Sequence, residues 1–188
     1  MILILTGPVH TGKTSFLKNL LPVLKAQGIP VSGYLSPSVL KRGRTFGYDL
    51  FDIKAGKSVP FLRRKGQAGW QKVGPYFFLP SGLRAAEDKI LGCPTGGWLV
   101  VDEVGPQELA RRGVWPALSA VLSRPELDCL LVVRSPLLDE LQGLLGKRPI
   151  EVFDIEAENL LPVLLERLLK PAAGRAVKKG AKKSRRAS

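Results

Sequence analysis

The sequence contains no long hydrophobic run. No segment approaches the roughly 18 consecutive apolar residues that a membrane-spanning helix needs. The apolar stretch from Met1 to Leu5 has no basic segment before it and does not resemble a signal peptide. We therefore expect neither a membrane span nor a signal peptide, and no membrane partner.

Cysteine and histidine are scarce. The two cysteines, Cys93 and Cys129, have no close-spaced partner and no histidine-rich neighbourhood, which excludes the usual zinc-binding patterns. The sequence therefore predicts two buried thiols in a protein of the reducing cytoplasm.

Acidic residues are missing from the C-terminal end. From Lys170 to Ser188 there are eight basic residues and no acid, so the preceding chain carries a net charge of only +5 out of the total +13. Residues 171–188 are also poor in large apolar side chains, and this composition predicts a disordered basic tail. The tail could attract RNA, DNA or another anionic surface weakly, or it could be solvated without a dedicated partner.

The remaining sequence suits one domain over residues 1–170, which we expect to be monomeric. Residues 2–6 predict a strand and residues 13–27 a helix. Short β-type runs separated by turns predict an antiparallel β insertion over residues 31–79. Apolar strands then alternate with helices, which predicts an α/β fold with a mainly parallel sheet covered on both faces. The later predicted elements are helix 81–91, strand 97–102, helix 106–123, strand 128–133, helix 136–145, strand 150–155 and helix 157–169.

The first strand runs directly into a G-x-x-x-x-G-K-[ST] loop, Gly7 to Thr14. In such a loop, backbone N–H groups surround phosphates and the following helix adds its positive N-terminal end. We expect Lys13 to reach the β- and γ-phosphates and the Thr14 hydroxyl to ligate Mg²⁺. The predicted nucleotide-binding residues are Gly7, Pro8, Val9, His10, Thr11, Gly12, Lys13, Thr14 and Ser15.

A second acidic motif follows another predicted strand. Asp102 and Glu103 stand at the carboxyl end of the 97–102 strand, where ligands of parallel sheets bind. Asp102 is the predicted metal carboxylate, and Glu103 is the predicted residue that orients and polarises the attacking water. Taken alone, the acidic pair could also be the solvated cap of a turn.

A glutamate directly after the metal aspartate is typical of ATPases with an extra strand between the loop strand and the aspartate strand. Here that strand would be residues 128–133, so Arg134 would leave the sheet close to the γ-phosphate. Arg134 could then stabilise transition-state charge as an internal arginine finger, or it could simply face solvent.

Five segments together resemble the small nucleoside-triphosphatase family first known from thermophiles. They are the phosphate loop, Gly33–Val39, Gly43–Leu50, Val73–Tyr76 and Val101–Leu109. The resemblance extends over about residues 1–169. It implies a RecA-like P-loop fold, a three-layer sandwich, and Mg²⁺-dependent hydrolysis of ATP, GTP, CTP and UTP to the diphosphate and phosphate.

Several features leave choices open. His10 stands where this family more often has glycine, and it could be a tolerated loop variant or contact a phosphate or a water molecule. Leu160 stands where the family often has arginine. Four aromatic residues of the insertion could stack on a nucleobase or fill its core: Tyr34, Phe46, Tyr48 and Tyr76. The basic pairs Arg63–Arg64 and Arg111–Arg112 keep a nucleoside or polynucleotide kinase open as an alternative. A nucleotide-switched module that binds RNA or protein is a further alternative.

Overall fold

One ten-stranded sheet forms the centre of the computed structural model, which describes residues 1–170. The predicted basic tail, residues 171–188, lies outside the described residues. The strands are β1 (Ile2–Thr6), β2 (Val31–Leu35), β3 (Ser38–Lys41), β4 (Arg44–Asp52), β5 (Lys57–Arg63), β6 (Lys72–Val73), β7 (Tyr76–Phe78), β8 (Trp98–Val104), β9 (Asp128–Val133) and β10 (Ile150–Asp154).

Six helices flank this sheet in the described part of the chain. They are α1 (Lys13–Ala26), α2 (Pro80–Leu91), α3 (Pro106–Leu109), α4 (Trp115–Leu122), α5 (Leu138–Leu145), which a 3₁₀ turn at Ser135–Leu137 precedes, and α6 (Leu160–Leu169). None of the helices between residues 1 and 170 is long and apolar enough to cross a membrane.

The strand order is β10-β1-β9-β8-β2-β4-β5-β7-β6, with β3 paired to β4. The first five strands in this order, β10 to β2, pair in parallel with one another, whereas every pair from β2–β4 onward is antiparallel. The β3–β4 pair is also antiparallel. Strand β9 lies between β1 and β8, which confirms the predicted extra strand. The carboxyl ends of β1, β8 and β9 therefore meet at one edge of the sheet.

Two apolar layers cover the faces of the sheet, as predicted for a three-layer sandwich. Side chains alternate along β1, so Ile2 and Ile4 belong to one core while Leu3 and Leu5 belong to the other. All five β1 residues are buried. A fully buried leucine or isoleucine contributes about 1.5–3 kcal/mol, so these two layers fix the strand under the phosphate loop.

Strand β2 corrects the predicted extent of the insertion. Residues 31–35 were expected within the antiparallel insertion, but β2 pairs in parallel with β8 and belongs to the central sheet. Its mixed composition, Val-Ser-Gly-Tyr-Leu, lacks the continuous apolar run that is typical of a central parallel strand. Gly33 is needed there because a Cβ atom on it would overlap the carbonyl oxygen of Val100. The antiparallel insertion comprises β3–β7 and joins the central sheet through the antiparallel pairing of β4 with β2.

Two predicted helices are also corrected. The expected helix 106–123 is divided into α3 and α4 by a turn in which Arg111 and Gly113 have φ values of 59° and 57°. The expected helix 157–169 begins only at Leu160, because Asn159 adopts a left-handed conformation with φ of 59°. In both segments backbone conformations of positive φ interrupt a helical pattern of side chains.

Candidate active site

The phosphate loop connects β1 to α1 at the carboxyl edge of the sheet. Gly7 has a φ of 143°, and a Cβ atom on it would overlap the Ile155 side chain. Gly12 has a φ of 84° and precedes the first turn of α1. His10 adopts a φ of 65°, which histidine tolerates better than most residues. The loop therefore keeps its left-handed turn although glycine is absent at that position.

The Lys13 side chain of the loop is buried, at 7% exposure. Its Nζ donates hydrogen bonds to the carbonyl oxygens of Gly7, at 2.9 Å, and Pro8, at 2.6 Å. Burial lowers the pKa of Lys13, while the carboxylates of Glu103 and Asp102 act in the opposite direction. The ammonium group is thus held over the loop and faces both acids of the second motif.

Thr14 and Asp102 join the two motifs. The Thr14 hydroxyl donates to Asp102 Oδ2 at 2.7 Å, although the residues are 88 positions apart. Asp102 is 2% exposed, and burial raises its pKa to about 6 against the opposing hydrogen bonds from the Ser36 N–H and the Thr14 hydroxyl. A cation beside this carboxylate would favour its ionised form.

The donor set fits a divalent cation that is shared with a ligand. Residues 1–170 contain no cluster of three or more histidine, cysteine or acidic side chains able to enclose a metal. Mg²⁺ usually binds one or two carboxylates together with phosphate oxygens and water, rather than a protein cage. One hydroxyl and one carboxylate at 2.7 Å match that requirement.

Ser36 is a site residue that neither of the two motifs contains. Its N–H donates to Asp102 Oδ2 at 3.1 Å, and its hydroxyl is buried without a hydrogen-bond partner among the described residues. An unpartnered buried hydroxyl beside the Asp102 carboxylate suits a contact to a water molecule. The only sequence signal was its place in the Gly33–Val39 segment of the family resemblance.

Glu103 and Arg134 form an ion pair at the edge of the same site. Arg134 Nε lies 2.7 Å from Glu103 Oε1, and both side chains are one-third exposed. The Nε–H bond is not directed at the carboxylate, so the contact is electrostatic rather than a well-formed hydrogen bond. The next residue, Ser135, donates its N–H to Gly7 O at 3.2 Å. The exit of β9 is therefore attached to the phosphate loop, and Arg134 is paired at the site rather than solvated.

Glu108 fixes the segment that follows Glu103. It is 4% exposed and accepts hydrogen bonds from the N–H groups of Gly105, at 3.0 Å, and Val114, at 3.2 Å. Burial raises its pKa, and the two N–H donors act against that rise. The sequence indicates Glu108 only as part of the Val101–Leu109 segment. Its role is to tie both ends of the α3 turn together.

A cavity of about 630 Å³ connects these groups. Val9 to Ser15 line one end, whereas Gly7 and Pro8 do not line it and instead direct their carbonyls to Lys13. Arg134, Asp102 and Glu103 also line the cavity, and the strand order β1-β9-β8-β2 places them between that end and the aromatic residues. Three of the four candidate aromatic residues line the other end: Tyr34, Tyr48 and Tyr76. Phe46 lies outside the cavity, beneath the ammonium group of Lys41 at 3.9 Å.

The chain is similar to known proteins along almost the whole of its described length. The model of a family described as NTPase matches residues 2–168. A cancer-related nucleoside-triphosphatase homolog from Bos taurus is 29% identical over 177 residues, covering 86% of this chain and 93% of that protein. The solution structure of a human cancer-related nucleoside triphosphatase gives a TM-score of 0.70 at 27% identity, covering 89% and 96% of the two chains. THEP1 from Aquifex aeolicus has the same fold, with a TM-score of 0.63 at 19% identity over 90% and 100%.

Proposed function

This chain belongs to the NTPase family, and from that membership and the geometry of its site we propose that it hydrolyses nucleoside triphosphates to the diphosphate and phosphate. The observation that carries the proposal is the 2.7 Å hydrogen bond between Thr14 and Asp102. It joins the phosphate loop to the acidic motif, and hydrolysis of a triphosphate needs both. ATP, GTP, CTP and UTP are the proposed substrates.

The phosphate loop binds the triphosphate. Val9 to Ser15 line the cavity, and the N-terminus of α1 directs its free N–H groups towards the bound phosphates. Lys13 exchanges its carbonyl partners in the loop for oxygens of the β- and γ-phosphates. A divalent cation, which we propose to be Mg²⁺, supplies further charge neutralisation when bound, and Thr14 and Asp102 are the residues that hold it.

Glu103 and Arg134 act on the γ-phosphate. Glu103 orients the attacking water and accepts its proton as the new bond to phosphorus forms. Arg134, held beside Glu103 at 2.7 Å, donates to the equatorial oxygens on which charge is spread in the transition state. Their ion pair keeps both side chains at the γ-phosphate end of the loop. Replacing either Glu103 or Arg134 is expected to slow turnover more than it weakens nucleotide binding.

The test measures phosphate release from each of the four nucleoside triphosphates with Mg²⁺ and with excess chelator. We expect release with all four substrates, its loss on chelation, and its loss in Lys13→Ala, because the charge facing the phosphates is then gone. Lys25→Ala is the matched control, since Lys25 is an exposed lysine at the other end of the same helix. Near-normal turnover in Lys13→Ala would refute the assignment. The cytoplasmic location and monomeric state expected from the sequence stay predictions.

A further inference from the structure

The end of the cavity opposite the phosphate loop has aromatic walls. We call this end the aromatic compartment, and it is lined by Tyr34, Tyr48, Phe61, Tyr76 and Phe78. Their rings form two contacting groups. Phe61 meets Tyr34 edge-on at 5.7 Å and Phe78 at 5.2 Å, while Tyr48 and Tyr76 form a T-shaped pair at 5.3 Å. Three of these side chains are buried, and the two at the open side are half-buried.

The order of the strands places the compartment beyond Glu103. The phosphate loop follows β1, Arg134 follows β9, and Glu103 lies on β8. The aromatic side chains come from β2, β4, β5 and β7, which continue the sheet on the far side of β8. The acidic motif therefore lies between the phosphate loop and the aromatic compartment, and Glu103 lines the cavity that both share.

This order decides which molecule can occupy the compartment. In phosphoryl transfer the attacking and leaving oxygens lie roughly in line on opposite sides of the phosphorus. Glu103 is on the attacking side, so the leaving diphosphate and its base lie away from it, towards the phosphate loop. The base of the hydrolysed nucleotide is then directed away from the aromatic walls. A molecule in the compartment instead approaches the γ-phosphate from the side of the nucleophile.

The chemistry of the walls indicates the class of that molecule. Aromatic faces favour a planar ring, and the hydroxyls of the two half-buried tyrosines, Tyr48 and Tyr76, can serve as partners for a polar ring edge. Arg64 lies next to Tyr76, with its guanidinium 5.1 Å from the ring and Nη2 donating to the Tyr76 hydroxyl at 3.5 Å, whereas Arg63 is held by Asp49. A nucleoside combines a planar, polar base with the hydroxyl groups of the sugar attached to it. We propose that the aromatic compartment binds a nucleoside as a phosphoryl acceptor in place of water.

The proposal rests on the proposed function, because it uses the same triphosphate site. The acceptor hydroxyl oxygen forms a bond to the γ-phosphorus as the bond from that phosphorus to the β,γ-bridging oxygen breaks. The electron pair of the broken bond stays on the bridging oxygen, which leaves with the nucleoside diphosphate. The hydroxyl proton passes to the Glu103 carboxylate. The products are a nucleoside monophosphate and a nucleoside diphosphate, and hydrolysis is the same step with water as acceptor.

The experiment follows the label from ATP labelled at the γ-phosphate. The full chain is incubated with Mg²⁺ and with adenosine, guanosine, cytidine, uridine or thymidine, each tested separately, and the products are separated by chromatography. We expect label in the monophosphate of at least one nucleoside, with a matching fall in released phosphate. Phosphate release without any nucleoside measures the proposed hydrolysis alone. Hydrolysis that no nucleoside diverts would overturn the acceptor proposal and leave the proposed function intact.

Two further measurements separate the remaining outcomes. Calorimetric titration of the nucleosides in the presence of a nonhydrolysable triphosphate tests occupancy directly, and absence of binding overturns the proposal even if turnover is undetectable. Label that enters the 5′ end of a single-stranded oligonucleotide but no free nucleoside also contradicts it, in favour of a polynucleotide acceptor.

A pair of variants locates the acceptor in the compartment. In Tyr76→Ala, we expect the KM for the nucleoside to rise by roughly 5-fold or more, the effect of losing one aromatic stacking partner. Phe46→Leu is the control, because Phe46 belongs to the same antiparallel part of the sheet but lies outside the cavity. Equal KM values in Tyr76→Ala and the parent protein would place the acceptor elsewhere.

Discussion

Replacing Glu103 by glutamine separates its chemical role from its structural one. Glutamine keeps the shape of the side chain but cannot accept the proton of the attacking water. Loss of a general base slows turnover by about 10²- to 10⁴-fold, which corresponds to about 2.7–5.5 kcal/mol of transition-state stabilisation. The ion pair with Arg134 is one-third exposed on both sides, so its loss costs at most about 1 kcal/mol of folding stability.

The two magnitudes predict a large loss of turnover with little loss of stability. Nucleotide binding should be retained or strengthened, because a negative charge is removed near Lys13 and the γ-phosphate. Turnover is measured by single-turnover phosphate release, and binding by titration of a fluorescent nonhydrolysable triphosphate. Urea unfolding gives the free energy of unfolding. Glu140→Gln, at an exposed position of α5, is the control. If binding disappears while turnover per bound nucleotide is normal, Glu103 is structural and the general-base assignment is refuted.

Two other substitutions test how the site is supported, and a third tests an ion pair outside it. Glu108→Leu leaves two buried N–H groups unpaired, at about 1–3 kcal/mol each, so urea unfolding should show a loss of about 2–6 kcal/mol, and a loss below about 1 kcal/mol contradicts the role of the carboxylate. Gly7→Ala forces a methyl group against Ile155 at a φ of 143°, so nucleotide affinity should fall, and unchanged affinity in a titration would show that the loop can shift. Burial acts to raise the pKa of Asp52, but the Lys89 ammonium and two backbone N–H groups outweigh it and lower that pKa below the ordinary 3.8. Ionised Asp52 therefore stabilises the fold above about pH 3.8, and this contribution is lost as the pH falls through the lowered pKa. Asp52→Asn should lower the free energy of unfolding at about pH 7, and the difference from the parent protein should shrink in acid. A difference independent of pH would contradict this ion pair.

The phosphate loop can be identified from the sequence because the residues that form it are consecutive in the chain. A short buried strand, a loop with fixed glycines and the start of a helix occupy Ile2 to Ala26 without interruption. Continuous apolar runs likewise predicted β8 and β9, the second with the bounds that it has in the structure. The family resemblance added the RecA-like fold and the expectation of hydrolysis.

Other elements could not be placed from local patterns. Strand β2 has no continuous apolar run, and its parallel pairing with β8 depends on the close approach of Gly33 to Val100. The break between α3 and α4 depends on Glu108, which contacts N–H groups three residues before it and six residues after it. Amphipathic spacing alone predicts one continuous helix there, because it does not record a buried carboxylate that caps a turn.

The sequence motifs therefore determine which residue types form the site, whereas the tertiary structure determines which of these side chains contact one another. Motif chemistry specified a lysine, a hydroxyl and two carboxylates. Only the parallel order of β1, β9 and β8 brings Asp102 to Thr14 and Arg134 to Glu103. The sequence does not predict the aromatic compartment, because its walls come from four strands whose neighbours are set by long-range pairing. Periodicity describes which face a residue occupies, whereas distances between strands follow from how the whole sheet packs.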